Sequence, residues 1–144
     1  MLKLNRKIEY SLITLKIISN KNNGELTSAR EISHILKTPF DTISKVLQIL
    51  NKHEIVSSIK GTNGGYTLTR DLQLLNFVEL SNIIEQKKGV NQCISSTSKC
   101  SLYDSCNIIT PIDNLNKKVN HLLEQLSIKE ILEVKEVQKD KNEY

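Results

Sequence analysis

Apolar residues recur near the start of the chain at Ile8, Leu12, Leu15 and Ile18, the spacing of a helix that buries one face. Asn5 stands where such a helix needs a side-chain acceptor, and Asn22-Asn23-Gly24 stops it. The helical period then resumes in two short runs. Ser28-Ala29-Arg30-Glu31 has the form of a capping box, ahead of Ile32, Ile35 and Leu36 on an inner face. Lys37-Thr38-Pro39 interrupts it. Thr38 as a cap and Pro39 at the first helical position would open a third helix, with Asp41 in its first turn and Ile43, Val46, Leu47 and Leu50 turned inward. Two short helices around a tight turn, the second polar and basic at its start, form a helix-turn-helix pattern, though helix pairs occur in many small α domains.

The period then changes to that of a strand. Residues 55–60 read as one strand and residues 66–69 as its return. Between them Gly61-Thr62-Asn63-Gly64-Gly65 is a turn rich in residues that accept positive φ. A hairpin directly after a helix-turn-helix is a wing. Its small, polar tip, flanked by Lys60 and Arg70, can approach a phosphate backbone closely.

Asn76 through Glu79 is a second capping box, for a helix running to about Gln86. Residues 90–106 show no period and read as a loop. Ile112, Leu115, Val119, Leu122 and Leu126 then follow at alternating spacings of three and four, a heptad-like seam. Such a seam packs either on its own domain or on a second subunit, and the apparent completeness of the preceding domain favours the subunit. Ser127 and Glu130 cap a last short helix. The expected fold is mainly α with a small β-hairpin. A winged helix-turn-helix domain spans 1–88, a cysteine-rich loop 89–107, a dimerisation helix region 108–133 and a charged tail 134–144.

Charge sharpens this picture. Up to Arg70 there are eleven Lys/Arg against five Asp/Glu; beyond it there are nine against eleven. The first half suits a polyanion and the second does not. Aromatic content of 4% with no Trp makes the core aliphatic and thin, so a partner subunit would help to bury it. The early apolar stretch carries Glu9 and Lys16 and lacks a signal-peptide form, and no run is long enough to span a membrane. A cytoplasmic protein is expected, in which structural disulfides are rare.

All three cysteines, Cys93, Cys100 and Cys106, lie in the aperiodic stretch, with six and then five residues between them. Reduced thiolates in one loop suit a soft metal: an iron–sulfur cluster or zinc. The spacing is wider than the close pairs of structural zinc sites. There is no Cys-x-x-Cys pair for a thiol oxidoreductase and no phosphate-binding glycine loop, so an enzyme is not expected.

Taken together, these motifs resemble the Rrf2 family of bacterial winged-helix regulators, of the IscR, NsrR and RirA type. The resemblance rests on Met1-Leu2-Lys3-Leu4 with Glu9-Tyr10-Ser11-Leu12, on Ser28-Ala29-Arg30-Glu31-Ile32, and on Ile59-Lys60-Gly61 through Gly64-Gly65-Tyr66. The three-cysteine loop and long helix complete it, over residues 1–132. It implies a homodimer with crossed long helices that binds double-stranded operator DNA, most simply as a repressor. It also implies an iron–sulfur cluster on Cys93, Cys100 and Cys106 that senses iron status, nitric oxide or redox stress. IscR-like members carry a His where this chain has Ile109, and the gap between the first two cysteines is one residue wider than usual. The missing His favours a 4Fe–4S over a 2Fe–2S cluster. NsrR-like members use an acidic residue of the partner's first helix, which aligns with Glu9; the plain alternative for Glu9 is a salt-bridge residue. His34 is a weaker candidate ligand, otherwise a surface histidine. Expected DNA contacts are Ser28, Thr38, Phe40, Thr42, Ser44 and Lys45 in the helix-turn-helix and Lys60, Thr62, Asn63, Gly64 and Gly65 in the wing. Phe40 could equally belong to the core. A cluster-free or zinc-stabilised regulator that senses a thiol or small molecule is the competing function.

Overall fold

Asn5 does cap the first helix: its side chain accepts from the Lys7 amide at 3.0 Å, and α1 runs over Arg6–Ser19. A computed structural model describes residues 4–22, 24–86 and 103–133 of the chain. Helix α1 buries Ile8, Leu15 and Ile18, as their period predicts. Gly24, at φ 93°, turns the chain back in a conformation that costs glycine little.

Helix α2 (Ala29–Leu36) and helix α3 (Phe40–Lys52) form the helix-turn-helix. The Ser28 hydroxyl accepts from the Glu31 amide at 3.1 Å, the expected half of the capping box. The Glu31 carboxylate instead meets Lys21 Nζ at 2.9 Å, which ties α2 to the segment after α1. Ile32 is fully buried, whereas Ile35 is 54% exposed, against expectation. A helix of eight residues has only about two turns, and here Ile32 alone reaches the centre.

Thr38 closes α2 and does not open α3. Lys37 takes the left-handed conformation at φ 48°, and the Thr38 amide reaches back to the Ser33 carbonyl at 3.1 Å. The Thr38 hydroxyl donates to the Leu36 carbonyl, and Pro39 stands at the N-cap of α3 with no side-chain cap. On α3 the buried residues are the four expected, Ile43, Val46, Leu47 and Leu50.

Strands β1 (Val56–Ile59) and β2 (Gly65–Leu68) form the antiparallel wing, with Val56 opposite Leu68 and Ile59 opposite Gly65. Residue Thr27 adds a bridge to Tyr66 through two backbone hydrogen bonds of 3.0 and 2.9 Å, which anchors the wing to the entry of α2. Helix α4 (Phe77–Glu85) begins at Asn76, whose side chain accepts from the Glu79 amide at 2.8 Å.

A 3-10 turn over Tyr103–Ser105 leads into helix α5 (Ile109–Glu124), then helix α6 (Ile128–Glu133). The cap predicted for α6 is reciprocal. The Glu130 amide donates to the Ser127 hydroxyl at 3.1 Å, and the Ser127 amide and hydroxyl both donate to the Glu130 carboxylate. These bonds hold the Glu130 carboxyl below its ordinary pKa. Ile128 is fully buried, and the amides of Ile128 and Lys129 donate to the carbonyls of Leu75 and Leu72. One core, aliphatic but for Phe77, thus joins α1, α2, α3, β1, α4 and the start of α6. The predicted seam on α5 stays uncovered in the protomer: no α5 residue is buried, and Leu115 and Leu122 are 57% and 59% exposed.

Candidate nucleic-acid interface and cysteine segment

In a helix-turn-helix the start of the second helix carries the base-reading side chains, so α3 and its approach come first. Ser28 and Thr38 are half-buried and serve caps, as described. The Ser33 hydroxyl donates to the Thr38 carbonyl at 2.6 Å, which fixes the turn between α2 and α3. Phe40, Asp41 and Lys45 are exposed; Thr42 and Ser44 are half-exposed. The Ser44 hydroxyl lies 3.4 Å from Gln48 Nε2, one turn on.

Between α3, α1 and α4 is an open cavity of about 590 Å³, floored by Val46, Ile49 and Ile84 and rimmed by Lys7, Lys45 and Lys52. None of these three lysines is paired with an acid among the described residues. The α3 flank is therefore cationic. Lys7, Gln48 and Lys52 were not among the sequence candidates. Gln48 and Lys52 follow Lys45 at helical spacings of three and seven, a signal already present in the chain.

The wing tip presents Lys60, Gly61, Thr62 and Asn63 to solvent. Gly64 and Gly65 are set inward. A Cβ on Gly64 would strike the Ile59 carbonyl oxygen, and one on Gly65 would stand 2.9 Å from the Thr27 carbonyl carbon. Both glycines are thus required by close backbone approach, and Gly65 is buried. Arg70, read from sequence as a phosphate-facing flank, is engaged elsewhere. Its guanidinium makes a two-pronged contact with the Glu79 carboxylate, at 2.7 and 3.1 Å, and locks the base of the wing to α4.

Of the cysteine candidates, Cys93 and Cys100 lie outside the described residues. Cys106 is a half-buried free thiol between the 3-10 turn and α5. Glu9 is half-buried in the first turn of α1, where a carboxylate is favoured by the helix dipole. His34 is exposed in the last turn of α2. Among the described residues, no three His, Cys, Asp or Glu side chains converge on a point that could hold a metal.

The profile of the Rrf2 family, described as iron-dependent transcriptional regulators, matches residues 4–134. The chain belongs to the Rrf2 family. This Rrf2 protein is 25% identical over 132 residues to the HTH-type transcriptional regulator NsrR of Bacillus licheniformis, covering 91% of this chain and 92% of that one. Its fold is shared with CymR, the global cysteine regulator of B. subtilis, at a TM-score of 0.68 and 18% identity, over 92% of this chain and 97% of CymR. It is also shared with IscR of T. potens, at a TM-score of 0.67 and 16% identity, over 91% and 86% of the two chains. Membership makes this Rrf2 protein a DNA-binding transcriptional regulator, and the named relatives are regulators, not enzymes. No helix among the described residues is long and apolar enough to cross a membrane.

Proposed function

We propose that this Rrf2 protein is a homodimeric repressor whose grip on operator DNA is controlled by an iron–sulfur cluster that senses iron status, nitric oxide or redox stress. The dimer is supported by the uncovered seam on α5. Ile112, Leu115, Val119 and Leu122 on α5, with Leu126 just beyond its end, form one stripe, each between 37% and 59% exposed, while of α5 only Leu123 packs, partly buried, on the protomer core. Two such helices crossing would cover both stripes and set two wings and two α3 helices against successive half-sites. Thr42, Ser44 and Lys45 then reach base edges or phosphate, while Lys60, Thr62 and Asn63 meet the backbone, with Gly64 and Gly65 shaping the tip.

The observation that carries the sensor half is the donor set. Three thiols stand within one short segment, and Cys106 is half-buried and outside any disulfide. A partly shielded thiol in reduced form is chemically suited to iron–sulfide ligation. Cys93, Cys100 and Cys106 would hold the cluster, and a fourth ligand must come from elsewhere. Glu9 of the partner subunit is the leading candidate and His34 the weaker one. A cluster so held supplies a centre that oxidation or nitrosylation can alter. The chain's own part is to bind it and couple its loss to α1, on which Glu9 stands, so shifting the population of two DNA-binding states. A 4Fe–4S cluster is favoured, because Ile109 cannot serve where a His ligand would stand.

Native mass spectrometry of anaerobically purified protein reads cluster mass and dimer state together. The expected result is a brown dimer with a 4Fe–4S mass increment that binds duplex DNA differently before and after cluster removal. A colourless protein carrying zinc replaces the cluster by the competing zinc-stabilised reading. Equal operator binding by the reconstituted and metal-free forms removes the sensor role.

A further inference from the structure

Phe40 is placed where a core residue should be, and the core does not take it. It precedes Ile43, Leu47 and Leu50 at helical spacings of three, seven and ten, in line with the buried stripe of α3. Those three are fully buried, yet Phe40 is 48% exposed and is absent from the residues packed on the core. The other phenylalanine, Phe77, is 8% exposed within that core. Ile35, near the end of α2, is exposed likewise, so uncovered apolar surface lies on both sides of the helix-turn-helix turn.

The neighbouring charges limit what can cover this surface. Asp41, also exposed, is next in sequence, and a phosphate there would meet a carboxylate and an apolar ring. Lys37, exposed in the turn before α3, is the nearest cation; on α3 itself the cations lie further along, at Lys45 and Lys52, with Lys7 on α1 beside them. Within α3 the leading turn thus presents a ring and a carboxylate, and the flank presents cations. Laid in a major groove, that division turns Phe40 toward base edges while the lysines follow the backbone. The major-groove edge of a base pair offers one apolar group, the 5-methyl of thymine.

We infer that Phe40 is a specificity-determining residue that reads a thymine methyl in each operator half-site. This rests on α3 being the DNA-reading helix, so the test separates the two. Full-length, anaerobically purified protein selects duplexes from a random-sequence library. Each thymine of the best duplex is then replaced singly by deoxyuridine, which removes only the methyl. Binding is measured by fluorescence anisotropy. At one or two thymines per half-site, the wild-type protein should bind the uridine duplex about fourfold more weakly, the magnitude of burying one methyl group. Phe40→Ala should bind both duplexes equally at those positions, and Phe40→Leu should retain part of the discrimination.

Half-exposure means that these variants should fold, which circular dichroism checks. A wild-type protein indifferent to every methyl overturns the inference and leaves DNA binding intact. So does discrimination that survives in Phe40→Ala. Equal losses for thymine and uridine duplexes in Phe40→Ala would instead mark the ring as a wedge between base steps and also overturn it. Failure to enrich any duplex sinks the assignment of α3 itself, and this inference with it.

Discussion

Truncating Leu122 tests the α5 seam quantitatively. Fully burying a leucine side chain contributes about 2 kcal/mol. Leu122 leaves 59% of its surface exposed in the protomer, so covering the remainder contributes about 1.2 kcal/mol. A two-fold interface contains the residue twice, for about 2.4 kcal/mol per dimer. Alanine keeps one carbon, so Leu122→Ala should lose about 2 kcal/mol, roughly thirtyfold in the dimer dissociation constant. The protomer should be little affected, because α5 contributes no buried residue to it. Sedimentation velocity over a wide concentration range measures the association, and circular dichroism checks the helix. Leu115, exposed to nearly the same degree, should behave alike when replaced by alanine. If both variants associate as tightly as the unmodified chain, this face of α5 is not the dimer seam, and the half-site geometry argued from it fails.

Three further outcomes are expected. Gly65→Ala presses a methyl against Thr27 and strains the two backbone bonds between Thr27 and Tyr66, which should cost about 2–3 kcal/mol of stability in urea unfolding; a loss below about 1 kcal/mol means the wing sits less tightly than described. Lys60→Gln should weaken binding to all duplexes alike and lower the slope of log affinity against log salt by about one, and a sequence-selective loss contradicts a phosphate contact. Because Ser127 holds the Glu130 carboxyl below its usual 4.5, the ionised form stabilises the fold above that value and this stability fades as pH falls through the lower, folded-state pKa. The difference in melting temperature between the wild type and Glu130→Gln should therefore shrink on acidification from neutral pH, and a gap that widens reverses the sign.

The inward stripe of α3 and the caps at Asn5, Asn76 and Ser127 could all be read in the chain because each depends on neighbours within one helical turn. The misreadings share the opposite cause. Glu31 and Glu79 are spaced for capping boxes, but Lys21 and Arg70, from other segments, take their carboxylates. Thr38 can bond backward or forward, and the choice is made by left-handed Lys37, a conformation its residue type does not announce. Ile35 and Phe40 fit the helical period yet remain exposed, because period reports direction and not how far the core extends. The cationic flank needed α1, α3 and α4 brought together before Lys7 could be grouped with Lys45 and Lys52.

The joint between α5 and α6 has a mechanical consequence. The amides of Ile128 and Lys129 bond to the segment just after the wing, Phe77 bonds back to Leu126, and Arg70 grips Glu79. The end of the seam helix and the root of the wing are thus one stiff bracket. In a dimer closed along that seam, each bracket carries its wing at a preset reach, as the jaws of a caliper are set by its beam. The duplex must supply half-sites at that spacing. Inserting one base pair between them rotates one half-site by about a tenth of a turn relative to the other. The bracket resists following that rotation, so in such a dimer binding would depend on operator spacing as well as on operator sequence.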